Sequence, residues 1–125
     1  MKQPYIEIKK LRRNTKILLE TEKTVFEVIV SGPKSCSVTV TGGSKFIRPT
    51  KAKIKGPIKK KAFVSKKGLE SPDEGIIKRG SCIEFQYENK GFWNNLITSK
   101  ILSATIYAPD NSWSYDAIEK NENTN

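Results

Sequence analysis

Apolar and polar residues alternate along most of the chain, and this period of two is typical of β-strands with one buried face. Residues 23–31 carry apolar side chains on both faces, so we expect a central strand with neighbours on both sides. The alternation as a whole predicts strands at residues 5–9, 15–21, 23–31, 35–41, 44–47, 50–55, 62–65, 81–88 and 99–108.

Gly42-Gly43 separates two of these strands and predicts a tight two-residue hairpin turn, because glycine adopts positive φ without steric cost. In that register Val38 would lie opposite Ile47, and Val40 opposite Lys45.

Residues 50–55 place three lysines on one face of a strand and two small or apolar residues, Ala52 and Ile54, on the other. Pro49 precedes this segment and Gly56-Pro57 follows it. Short, charged, proline-bounded strands are typical of sheet edges, so we expect an edge strand here.

Two aromatic segments depart from the alternation. Phe92 and Trp93 recur with Leu96 and Ile97 at helical spacing, which predicts a turn or two of helix, and residues 113–118 predict a last short turn. We expect the aromatic group of Phe92, Trp93, Trp113 and Tyr115 to close one end of the core, the alternative being a ligand- or protein-binding surface.

Eight or nine short strands with regular turn signals predict an all-β, single-domain antiparallel β-sandwich, either immunoglobulin-like or jelly-roll-like. An OB-type barrel is the alternative, because a helical turn between late strands is compatible with it. We expect the domain to span residues 1–118, with residues 119–125 as a frayed polar tail.

Charge is distributed unevenly along the chain. The formal net charge is +10, from 23 Lys and Arg against 13 Asp and Glu. Residues 28–69 hold eleven of the basic residues and no acidic one, which leaves 12 basic and 13 acidic residues elsewhere. Residues 51–67 alone carry eight lysines.

Clustered lysines attract phosphate backbones through charge and counterion release, so we expect non-enzymatic nucleic-acid or other polyanion binding. Lysine outnumbers arginine 19 to 4, and lysine acts as a point charge, which favours sequence-independent contacts. Phe46 and Phe63 flank the cluster as candidate stacking platforms. The candidate binding residues are Lys45, Arg48, Lys51, Lys53, Lys55, Lys59, Lys60, Lys61, Phe63, Lys66 and Lys67.

Three other interpretations stay open. In the first, the lysines do no more than keep a sheet edge soluble. In the second, they meet an acidic partner in a structural or protein-interaction module, for example a virus-encoded one or a homo-oligomer. Pro72-Asp73 followed by Glu88-Asn89-Lys90 resembles the PD…(D/E)xK motif of a nuclease superfamily. The resemblance implies Mg²⁺ held by Asp73 and Glu88, with Lys90 supporting the attacking water.

Other chemistries lack their residues. The chain has no histidine, so a Ser-His-Asp or Cys-His arrangement cannot form, and its two cysteines, Cys36 and Cys82, are too few for the usual zinc or haem sites. We therefore expect no cofactor. A Cys36–Cys82 disulfide stays open, although free buried thiols are the first expectation.

The sequence indicates a cytoplasmic protein without a membrane segment. No run approaches the roughly 18 apolar residues of a membrane span, and the first residues alternate where a secretory signal needs an unbroken apolar stretch.

Overall fold

A computed structural model describes residues 5–58 and 74–120 of the chain. These residues form ten β-strands. Two short 3-10 turns, Ile8–Lys10 and Pro33–Ser35, are the helical elements of the described residues. The strands are β1 (Tyr5–Glu7), β2 (Lys16–Thr21), β3 (Val25–Gly32), β4 (Ser37–Gly42), β5 (Phe46–Ile58), β6 (Ile76–Lys78), β7 (Cys82–Asn89), β8 (Phe92–Ile97), β9 (Ile101–Tyr107) and β10 (Ser114–Ile118).

The strands form two antiparallel sheets. Eight strands lie in the order β10-β9-β2-β3-β4-β5-β7-β8, and β1 pairs with β6 in a small second sheet. The predicted all-β sandwich class is confirmed in this two-sheet form. Among the described strands no ladder joins β8 to β10, so the large sheet is open and the barrel alternative does not form.

The core lies on one face of the large sheet and is centred on three phenylalanines. Phe26, Phe46 and Phe85 come from β3, β5 and β7, with ring centroids 5.7 to 6.3 Å apart. The inward positions predicted for β2, β3 and β7 are confirmed by the burial of Ile17, Leu19, Phe26, Val28, Val30, Ile83 and Phe85.

A chain of backbone hydrogen bonds attaches the small sheet to the end of β5. The Ile8 amide donates to the Gly75 carbonyl (3.0 Å), the Gly75 amide to the Ile54 carbonyl (3.1 Å), and the Ile54 amide to the Cys36 carbonyl (3.0 Å). Gly75 has φ +83°, and a Cβ on it would lie 2.5 Å from the Cys36 sulfur. Only glycine fits this junction without displacing Cys36.

The predicted β4–β5 register is wrong. Gly42 pairs with Phe46 and, after a bulge, Val38 lies opposite Ala52. A two-residue turn at Gly42-Gly43 would direct the side chain of Ile47 toward the core and that of Phe46 toward solvent. In the structure Phe46 is fully buried and Ile47 is exposed. Burying the larger aromatic ring against two other phenylalanines decides the register, since a one-residue slip exchanges the faces of a strand.

β5 is a 13-residue interior strand, so the prediction of a short edge strand is also wrong. It pairs with β4 over residues 46–53 and with β7 over residues 52–58. Pro49 and Pro57 therefore lie where β5 has a single neighbouring strand, and a missing amide donor is tolerated there.

The predicted helical turns near the two late aromatic segments are wrong as well, because both segments are edge strands, β8 and β10. Lys90 and Gly91 have φ of +52° and +84° and form the tight turn that pairs Phe92 with Asn89. Backbone pairing with a neighbouring strand outweighs local spacing in these segments.

Some predictions fall beyond the described part of the chain. The strand expected at residues 62–65 and most of the expected tail lie outside it. Within the described residues, the Arg79 guanidinium donates to the Glu119 carbonyl (3.2 Å) and Lys120 pairs with Glu20 (3.1 Å).

Both cysteines are free thiols, Cys36 buried and Cys82 half-buried. Burial raises the pKa of the Cys36 thiol, and the nearby Glu74 carboxylate raises it further against the opposing charges of three lysines. The thiolate is the reactive form, so Cys36 is both shielded and unreactive.

We expect a thiol reagent to modify Cys82 quickly in the native protein, so Cys82→Ser should remove the fast phase of the reaction. Cys36 should react only after denaturation, because it is buried and protonated. Absorbance of the released chromophore measures both phases, and Cys36→Ser is the matched control. Equal rates for the two thiols, or none until a reductant is added, would contradict the structure.

We expect Gly42→Ala to lower the free energy of unfolding more than Gly80→Ala. Both glycines have positive φ, which costs an alanine roughly 1–3 kcal/mol. A Cβ at Gly42 would also lie 2.5 Å from the Val25 carbonyl oxygen, whereas one at Gly80 meets nothing within 4 Å. The crowding should add roughly 1–3 kcal/mol. Urea unfolding compares the variants, and equal losses would count against the bulge at Gly42.

Candidate nucleic-acid interface

β5 turns three lysines toward solvent on the outer face of the large sheet. Ala52 and Ile54 are buried on the inner face, so the pleat directs the side chains of Lys51, Lys53 and Lys55 outward. Lys51 is exposed and the other two lysines are partly exposed. We call these three residues the lysine face.

The strands on either side of the lysine face differ in charge. On β4, Thr39 lies opposite Lys51 and Ser37 opposite Lys53, so this neighbour contributes hydroxyl groups and no charge. On β7, Gln86 lies opposite Lys53. The alternate residues on that side of β7 are Glu84 and Glu88, so of the two neighbouring strands only β7 contributes carboxylates to this face.

Two of the three lysines have no ionic partner in the described part of the chain. Lys55 Nζ lies 3.7 Å from Glu74 Oε2. No described acidic group lies within 4 Å of the ammonium of Lys51 or Lys53. An ion pair between partly exposed groups is weak, so Lys55 can exchange Glu74 for a stronger anion.

On the other side of β4, the outward acidic residues of β2 and β3 are paired within the protein. Glu20 on β2 accepts hydrogen bonds from Lys120 (3.1 Å) and Ser103 (3.0 Å), and these bonds lower its pKa. Glu27 on β3 pairs with Lys16 at 3.5 Å. β4 separates these residues from the lysine face with outward serine and threonine side chains.

The remaining predicted site residues do not all meet at the lysine face. Lys45 lies in the β4–β5 loop and Arg48 near the start of β5, and both are exposed. The predicted residues Lys59, Lys60, Lys61, Phe63, Lys66 and Lys67 lie outside the described residues.

Phe46 cannot serve as the stacking platform that its position in the sequence suggested. It is fully buried, and its ring packs against Tyr87 with centroids 5.0 Å apart. Its apolar contacts hold β5 to the core instead.

The aromatic group predicted to close the core is exposed, on the edge strands β8 and β10 and, for Trp113, directly before β10, so that prediction is wrong. Phe92 and Trp93 on β8 are 73% and 61% exposed. On the other edge Trp113 is 51% exposed, and its ring lies 5.8 Å from that of Tyr115. The sequence does contain a signal for the observed arrangement. Lys90-Gly91 marks a hairpin turn, and a hairpin at this point places Trp93 on a sheet.

The residues of the nuclease-like motif are only partly described. Glu88 is the last residue but one of β7 and is exposed, Lys90 lies in the turn that follows, and Asp73 lies outside the described residues. Across residues 5–58 and 74–120, no three His, Cys, Asp or Glu side chains are grouped to hold a metal ion.

Comparisons with protein-family models, with curated proteins and with solved structures find no match to the chain. None of the helices in the described segments has the length and apolar content needed to cross a bilayer.

Proposed function

We propose that the protein binds nucleic acid without catalysing a reaction on it, through the lysine face and largely independently of sequence. One observation carries the proposal: three lysines share an outward face of an interior strand, and two of them have no acidic partner among the described residues. Lys45 and Arg48 extend the binding residues toward the β4–β5 loop.

Phosphates are the ligands that suit this arrangement best. Alternate residues on a strand are about 6.7 Å apart, so three flexible ammonium groups form a short row along β5. Such a row neutralises a phosphate backbone and releases its condensed counterions without requiring a fixed base sequence. Lysine supplies point charges where arginine would supply bidentate base contacts, which supports tolerance of sequence.

The proposal also covers residues beyond Ile58 on sequence grounds. Lys59, Lys60 and Lys61 follow the end of β5 directly, and Phe63, Lys66 and Lys67 follow them. The two free thiols suit a reducing compartment, so we include a cytoplasmic location in the proposal.

A structural or protein-interaction module is the second candidate. Its support is β8, an edge strand whose exposed side chains include Phe92, Trp93 and Ile97. An exposed apolar edge is a template for pairing with another chain, including a second copy of this one. A stable dimer in sizing experiments, with no nucleic acid retained on purification, would favour this candidate.

Reversing the charge of the lysine face tests the nucleic-acid proposal. We expect the combined variant Lys51→Glu, Lys53→Glu and Lys55→Glu to bind a labelled oligonucleotide about tenfold more weakly or worse, for every sequence tried. The slope of log affinity against log salt should also fall by about 2 for a single strand, since three phosphate contacts are lost. Fluorescence anisotropy measures both quantities.

The matched control is Lys23→Glu, Lys78→Glu and Lys100→Glu, which replaces three exposed lysines outside β5. Both variants reduce the net charge from +10 to +4, because each substitution removes two charges. The control should keep most of the wild-type affinity and its salt slope. Equal losses in the two variants would show that total charge, and not the lysine face, determines binding.

A further inference from the structure

Trp93 lies on the same outer face of the large sheet as Lys51, Lys53 and Lys55. Lys53 on β5 lies opposite Gln86 on β7, and Gln86 lies opposite Asn95 on β8. Residues directly opposite each other in a ladder point to the same face, and Trp93 is two residues from Asn95 on the same strand. The 61% exposed indole therefore stands on this face, two strand spacings or about 10 Å from β5.

The strand between them is polar and acidic. Glu84, Gln86 and Glu88 occupy the outward positions of β7, and Asn95 donates a hydrogen bond to the Glu84 carboxylate. Carboxylates repel phosphates but accept hydrogen bonds from base amino groups, and amides both donate and accept. The outer face thus has a strip for phosphates on β5 and a strip for bases on β7 and β8.

An exposed indole can stack only on a base that is not already stacked within a duplex. In a double helix the phosphates face outward and the bases are paired inside, so a duplex on the lysine face could not reach Trp93 with a base. In a single strand the bases turn to one side of the backbone and present their faces to aromatic side chains.

On the basis of the nucleic-acid binding proposed above, we propose that the ligand is single-stranded nucleic acid. Its phosphates lie along Lys51, Lys53 and Lys55, its bases cross β7, and one base stacks on Trp93. Charge complementarity places the backbone on β5, and the acidic residues of β7 prevent the opposite orientation.

Single-tryptophan variants test this arrangement directly, because the chain has two tryptophans, one near each edge of the large sheet. Trp113→Phe leaves Trp93 as the reporter, and Trp93→Phe leaves Trp113. Titration with a single-stranded oligonucleotide should quench the emission of Trp93 and leave that of Trp113 unchanged. The matching duplex should quench neither.

Affinities give a second readout. Trp93→Ala should weaken single-strand binding about tenfold, the usual effect of losing one stacked base, and leave duplex binding unchanged. Trp113→Ala should alter neither affinity, and Trp93→Phe should keep most of the single-strand affinity because a phenyl ring also stacks. Thermal unfolding of each variant verifies that the exposed β8 position has not affected folding.

The outcomes separate the two proposals. Salt-dependent binding with no quenching of Trp93, or an equal loss of single-strand and duplex affinity in Trp93→Ala, would overturn the stacking arrangement and leave the lysine face as a binding surface. No binding of either oligonucleotide by the wild-type protein would overturn both. Concentration-dependent quenching of Trp93 without any nucleic acid would instead indicate association through β8.

Discussion

Burial of the inner face of β5 is the constraint on which the rest of the molecule depends. Phe46, Ala52 and Ile54 pack into the core, and ladders to β4 and β7 hold the strand on both sides. A slip of one residue would expose these side chains and bury lysines, and an unpaired buried ammonium group is strongly unfavourable. The lysine face is therefore fixed by the same contacts that stabilise the fold, and an anion would meet it already formed.

The order of strands in the sheet places the acidic residues of β2 and β3 away from that face. Acidic residues on β2 and β3 pair with Lys120 and Lys16, and the hydroxyl-bearing β4 lies between them and β5. Among the described residues, those of β7 and the Glu74 carboxylate bring negative charge close to the lysines. In the proposed complex this division would orient the ligand as well as attract it, because phosphates and bases favour different strands.

Local pattern accounts for what could be predicted from the sequence. The alternation of apolar and polar residues correctly predicted β2, β3 and β7, and it predicted that the lysines of β5 share one face. Both predictions need only a strand with one buried face. The alternation could not show that β5 is interior or that a bulge at Gly42 sets the register, because both follow from pairing with distant segments. The position of Trp93 was mispredicted for the same reason: its spacing suggests a helix, whereas the β7–β8 hairpin places it on the same face of the sheet as the lysines.

Chemical footprinting of lysines is the most direct test of binding at the lysine face. The wild-type protein is acetylated with and without a bound oligonucleotide, and mass spectrometry reports the reactivity of each lysine. If the lysine face binds the ligand, Lys51, Lys53 and Lys55 become protected, while the exposed Lys23, Lys78 and Lys100 keep their reactivity. Protection spread evenly over all these lysines, or confined to those outside β5, would contradict binding at that face.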